Sequence, residues 1–235
     1  MYKGIYIALS GGTAKQTQME VITHNLANAN TLGYKKDKMT FQSYLLSQIN
    51  GSVGNPADRV MTDVSSVETD FSDGNMVKSG NVFDLALDGK GFFSIEGGLY
   101  TRRGDFRVEK GYLVTQDGKK VLGKGGPVKV PAGKIEVDNS GRISVDGAEV
   151  GSLKIADFDD LTALKKSGSD YFASDKKEIA SKAGVKQGFI ETSNVEAIRE
   201  MVKMITTVRE FETYQKAMQS FDEAVAKVTN DMARI

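Results

Sequence analysis

The stretch SNVEAIREMVKMITTVREFETYQKAMQSFDEAVAKVTNDMARI, from Ser193 to Ile235, contains neither glycine nor proline, and the rest of the chain is read outward from it. Its start, Ser193-Asn194-Val195-Glu196, fits a capping box with Ser193 facing Glu196 three residues on, so a helix is expected to begin there. Apolar residues recur at Ile198, Met201, Val202, Ile205 and Val208. Met204, Phe211, Met218, Val225 and Met232 stand seven apart, as do Tyr214, Phe221, Val228 and Ile235. That spacing predicts a coiled-coil helix. The three-residue steps through Ile205, Val208, Phe211 and Tyr214 turn the apolar stripe around the helix, which implies more than one neighbour. At ~1.5 Å per residue the helix spans roughly 60 Å, longer than a domain of this size can cover, so packing between molecules is expected.

At the other end Ile5, Leu9, Met19, Ile22, Leu26 and Ala29 fall on one helical face, and Asn30 to Gly33 supply a stop. Gly11-Gly12 costs about 1 kcal/mol per glycine relative to alanine, so this second amphipathic helix is expected to be weak alone and to order on a partner. Asn25, Asn28 and Asn30 are poor helix-interior residues. Capping of the helix end, or side-chain hydrogen bonds to neighbouring chains, would account for them.

The middle of the chain is different. Of the 25 glycines four precede residue 50 and none follows Gly188, which leaves the centre punctuated by turns. Phe83-Asp84-Leu85-Ala86-Leu87-Asp88, Val128-Lys129-Val130, Ile135-Glu136-Val137 and Ile143-Ser144-Val145 alternate with period two and predict half-buried strands. Asp88-Gly89, Gly97-Gly98, Asp117-Gly118, Asn139-Ser140-Gly141 and Asp146-Gly147 supply the turns between them. A short helix is expected near Asp159 to Lys166. The fold class expected is α+β, with N- and C-terminal amphipathic helices forming a coiled coil and a central antiparallel all-β domain. Residues 1–35 are the first helix, 36–80 an extended connector, 81–190 the β domain and 191–235 the second helix.

Composition excludes several functions. Thirty-one Lys plus Arg balance thirty-one Asp plus Glu, which removes the long-range attraction a nucleic-acid binder relies on. No apolar run approaches the roughly 18 to 20 residues that span a bilayer, and Ile5 to Leu9 is too short for a secretory signal, so a soluble chain without a cleaved leader is expected. Without cysteine there are no disulfides and no thiolate chemistry, and one histidine, His24, leaves no ordinary zinc site. Gly118 to Gly125 imitates a P-loop, but its eighth position is glycine where Ser or Thr must reach magnesium, and strand instead of helix follows. Asp157, Asp159 and Asp160 lack an EF-hand pattern and read as a solvated acidic turn. No nucleophile elbow accompanies His24, and nothing singles out a catalytic pair of carboxylates. No enzyme activity, cofactor, metal or small-molecule substrate is expected.

Three segments, in order, resemble the axial proteins of the bacterial flagellar rod and hook. They are Gln18 to Lys35, with its asparagine-rich helix end; Asp84 to Phe93 followed by Tyr100 to Phe106; and Gly188 to Val195, continuing through Glu200 to Ile205 and Arg209 to Glu212. Gly11-Gly12, and Ser79 where relatives often carry threonine, depart from the pattern. The resemblance implies a structural subunit of the rod, crossing the periplasm, with the terminal helices forming an inner tube and the β domain outside it. Implied partners are further copies of this chain, other rod and hook axial proteins and the flagellar type III export apparatus. Phe41 and Leu45 match the spacing that early export substrates present to the export gate. The expected assembly surface is Ile5, Leu9, Met19, Ile22, Asn25, Leu26, Asn28 and Asn30, together with the C-terminal apolar residues named above, Ile198 to Ile235. A ligand-binding or adhesive β module with a coiled-coil oligomerisation tail is the alternative reading.

Overall fold

A computed structural model describes residues 2–45, 60–168 and 170–232, with side chains for 4–40, 66–168 and 170–230. The chain divides into two units, each assembled from separate pieces of sequence. The first comprises residues 1–27, 37–68 and 196–235, the second residues 28–36 and 69–195.

The first unit holds helix α1, Tyr2–Ala27, helix α2, Ala197–Met232, and a two-stranded sheet of Asp37–Leu45 and Val60–Thr69. α1 runs unbroken through Gly11 and Gly12. Its threonines do not interrupt it, because the hydroxyls of Thr13, Thr17 and Thr23 return to carbonyls one turn back. Residues 36–80, read from the sequence as connector, therefore contain strands.

α2 starts at Ala197, and the expected capping box is not formed. The Ser193 hydroxyl instead accepts from the Val195 N–H at 3.2 Å, and the Glu196 carboxylate pairs with Arg199 at 2.9 Å. Ser193 and Val195 are buried in an extended segment, so the backbone stays non-helical past the residue that sequence chemistry favours as cap.

The second unit is built mainly of strands, and every strand pair described in it is antiparallel. Its largest sheet has six strands in the order Lys165–Lys166, Tyr171–Ala173, Leu99–Thr101, Phe92–Ile95, Ile155–Asp157 and Ile179–Ala180. Ile135–Val137, Arg142–Val145 and Ala148–Ser152 form a three-stranded sheet bulged between Ile143 and Ser144. Phe92 and Phe93 show why the six-stranded sheet has two cores. Successive side chains point to opposite faces: Phe93 meets Phe106 edge-on at 5.1 Å within the main cluster of Leu85, Leu87, Ile95, Ile143 and Leu153, while Phe92 packs with Phe172 at 5.5 Å and Phe71 at 5.7 Å.

Three sequence expectations change in detail. Leu85–Asp88 is buried at three consecutive residues, with Ala86 fully covered, so it is not half-buried. Val128 and Val130 are buried either side of exposed Lys129 as expected, yet this stretch is no regular strand: it holds an isolated bridge from Lys129 to Tyr112 and a bond from Val128 N to Val121 O. The helix near Asp159 is a single 3-10 turn, Leu161–Ala163, capped by the Asp160 side chain, which accepts from Thr162 N. The P-loop-like segment is turn, strand Leu122–Gly123, turn and strand Gly126–Pro127.

Candidate assembly surface

α1 and α2 pack on each other within the first unit. The rings of Phe221 and Tyr214 lie against Gly4 and Gly11, Phe211, Tyr214 and Met218 surround Gly12, and Lys15 Nζ is 2.7 Å from Glu210 Oε2. As residue numbers rise along α1, partner numbers fall along α2, so the helices run antiparallel. Both glycine contacts are seven residues apart on each helix, the repeat that keeps one seam facing its partner. A β-carbon on Gly11 would fall 2.5 Å from Tyr214 Cε1, and one on Gly4 2.8 Å from Phe221 Cζ. The glycines that weaken α1 as an isolated helix are thus the notches that admit the aromatic rings.

This seam redraws the face expected of α1. Gly11, Gly12, Ala8, Ala14, Ile22 and Asn25 are buried, whereas Leu9 is 51% exposed with Tyr6 and Ile7 beside it. In the first turns the seam covers small residues and not the large apolar ones, because the facing helix already supplies the bulk. Small residues at positions 4, 8 and 11 were the signal that could have found it. Ile5, Met19, Leu26 and Asn28 are half-buried and Asn30 is exposed. The Asn25 amide is spent inside the chain: Nδ2 donates to Asp37 O at 2.9 Å and Oδ1 accepts from Asp37 N at 2.8 Å, pinning the start of the strand Asp37–Leu45. Asn28 Oδ1 accepts from the Thr31 hydroxyl at 3.2 Å in the following turn.

On α2 the rows of seven through Met204 and Tyr214 are covered only as far as Phe221. Met204, Phe211, Tyr214, Met218 and Phe221 are half-buried, and the same spacing brings in buried Thr207 and buried Glu200, whose carboxylate meets Lys203 at 2.6 Å. Ile198 (81% exposed), Met201, Val202, Ile205 and Val208 stay open to solvent, as do Val225 and Val228. The Met232 side chain and all of Ile235 lie outside the described residues, as do the side chains of Phe41 and Leu45 on the strand Asp37–Leu45. No helix among the described residues is long and apolar enough to cross a membrane, and no group of three or more His, Asp or Glu among them could hold a metal.

Residues 5–35, covering most of α1 and its closing turn, match the family model described as flagella basal body rod protein. Residues 86–145 match the flagellar hook protein FlgE/F/G D1 domain, and residues 186–232 match the flagellar basal body rod FlgEFG protein C-terminal. The flagellar basal-body rod protein FlgG of Agrobacterium fabrum is 31% identical, covering 98% of this chain and 99% of its own length. The chain belongs to the flagellar basal-body rod protein family. Two FlgF proteins agree: that of Caulobacter vibrioides is 30% identical over the whole of both chains, and that of Rhizobium meliloti is 31% identical over 97% of this chain and 96% of its own. As a rod protein this chain is a structural subunit of the flagellar basal body, and its partners are rod proteins, its own copies included.

Proposed function

We propose that the chain polymerises into the rod through the helix faces the α1–α2 seam leaves open, forming a coiled-coil inner core with neighbouring subunits. It reaches the rod through the type III export apparatus, and Phe41 and Leu45 are the residues it presents to the export gate. Its place is the proximal rod, as the FlgF type, with the distal FlgG type second; it assembles and catalyses nothing. The observation that carries this reading is the row Ile198, Met201, Val202, Ile205 and Val208, apolar and exposed on one stretch of α2. Half-exposed aliphatic side chains of this kind gain about 1 kcal/mol each on burial. A row of them left exposed by the described residues favours association. Contacts between unlike faces of successive copies give an open helical array where their rotation does not close a ring, and the rod is that case.

Sedimentation over a range of concentrations tests it. The full chain, alone or mixed with other axial proteins, should grow without a fixed stoichiometry, and Ile205→Asp should stop that growth while leaving the far-UV spectrum unchanged. A fixed small oligomer, or growth indifferent to Ile205→Asp, counts against the reading.

A further inference from the structure

The second unit buries a cluster of charges that takes no part in the helix seam. The side chains of Lys35 and Glu191 are each 1% exposed and that of Arg102 is 3% exposed. Glu191 Oε1 accepts from Lys35 Nζ at 2.6 Å and from Gly74 N at 2.9 Å. Arg102 Nε stands 2.9 Å from Glu191 Oε2, an ion pair whose N–H is not aligned for a hydrogen bond. Both terminal nitrogens of Arg102 are bonded: one donates to the carbonyls of Gly89 at 2.7 Å and Gly91 at 2.9 Å, the other to Asp73 Oδ1 at 2.6 Å. Lys35 Nζ also donates to Ser72 O at 2.7 Å. Buried charge is costly unless paired and hydrogen-bonded, and here each cation depends on Glu191 for a buried counter-charge. Burial pulls the Lys35 pKa below its ordinary value, and the nearby Glu191 carboxylate opposes that pull.

The three residues come from the three segments that resemble the rod family: the turn after α1, the middle block and the strand before α2. Gly33 N donates to Glu191 O at 2.9 Å, and a β-carbon on Gly33, whose φ is +68°, would fall 2.4 Å from Arg103 N. Beside this, Asn194 accepts from Lys36 N at 2.8 Å through Oδ1, while its Nδ2 donates to Asp70 O at 2.8 Å and Ser72 O at 3.1 Å. The stretch that leaves α1, the loop at Asp70 to Gly74 and the stretch that leads into α2 are therefore bound to one another inside this unit.

We propose that Glu191 is a positioning residue for rod assembly: clamped between Lys35 and Arg102, its carboxylate holds side by side the two segments through which the chain leaves α1 and enters α2. Glu191 touches no neighbouring subunit in this account; it acts by keeping the crossing of those two segments closed. The inference rests on the rod reading for its consequence and on this geometry for its mechanism.

Hydrogen exchange on the full chain separates the clamp from an ordinary core ion pair. In Glu191→Gln, amides within 31–37, 72–76 and 190–196 should exchange at least about tenfold faster, while those of the strands Phe92–Ile95 and Arg142–Val145 keep their protection. A uniform acceleration across the unit, or none anywhere, overturns the proposal. Should Glu191→Gln not fold, Lys35→Met/Glu191→Gln, which strands one buried cation fewer, carries the same comparison. In a strain deleted for the gene, the variant that opens the crossing should restore swimming less than the wild type does; full restoration overturns the role in assembly. If deletion itself leaves swimming normal, the rod reading fails instead, and the exchange result still decides the clamp.

Discussion

Tyr100 and Tyr171 show how the β unit uses single polar atoms. Burial raises both phenol pKa values, and carboxylate acceptors raise them further: the Tyr100 hydroxyl donates to Glu178 at 3.0 Å, and that of Tyr171 donates to Asp117. Tyr100 is pushed up to about 12. For Asp117, burial acts upward, but hydrogen bonds from Lys119, Thr115 and Tyr171 prevail and hold it below the usual carboxylate range. A phenol whose folded pKa exceeds its unfolded value of about 10 contributes stability that is complete below pH 10 and lost as pH rises toward the folded value. Asp117 works at the opposite end, its contribution present above about pH 4 and lost as pH falls. Phenolate absorbance should therefore still be rising near pH 12, and Tyr100→Phe, which keeps the ring against Phe158, should remove part of that late rise. A folded protein whose titration is complete by about pH 11 would contradict the assignment. The two phenol partnerships are not visible along the chain, because Tyr100 and Glu178, or Tyr171 and Asp117, meet only when distant strands pair.

Among elements, α1 is the one whose sequence and setting disagree most. Alanine in place of Gly11 gains about 1 kcal/mol of intrinsic helix propensity, yet its β-carbon meets the Tyr214 ring at 2.5 Å. Gly11→Ala should raise the helicity of an isolated peptide of residues 1–30 and lower the thermal midpoint of the full chain. Tyr214→Ala should reverse the sign of the second effect, since it removes the ring the methyl group strikes. Equal stabilisation of peptide and full chain would mean that the notch is not occupied as described. The helical character of both termini was legible from apolar spacing and from glycine-free sequence after Gly188. The buried face of α1 was not, because Gly4, Ala8 and Gly11 carry no hydrophobic signal of their own. Asn25 marks the end of α1 in the sequence, and its partner is the backbone of Asp37, which the turn between them brings back.

For the molecule as a whole, each of the two units is discontinuous in sequence, the second one closing only when residues 28–36 join residues 69–195. Removing residues 196–235 takes away α2 and leaves every piece of the β unit, including Glu191 and Val195, in place. The truncated chain should keep the thermal transition of the β unit, remain monomeric in sedimentation and fail to enter rods. Incorporation of that chain would overturn assembly through α2. Local chemistry determined that this protein has long helices at both ends and a turn-punctuated β middle, since periodicity, backbone propensity and glycine placement act within a few residues. Composition likewise determined that it lacks thiol chemistry. Only the tertiary structure decided which helix face is covered and which stays available, because Gly4 and Gly11 meet Phe221 and Tyr214 from the other end of the chain. It alone also decided that Lys35, Arg102 and Glu191 share one buried site, since a charge can be taken out of water only where folding delivers its partner.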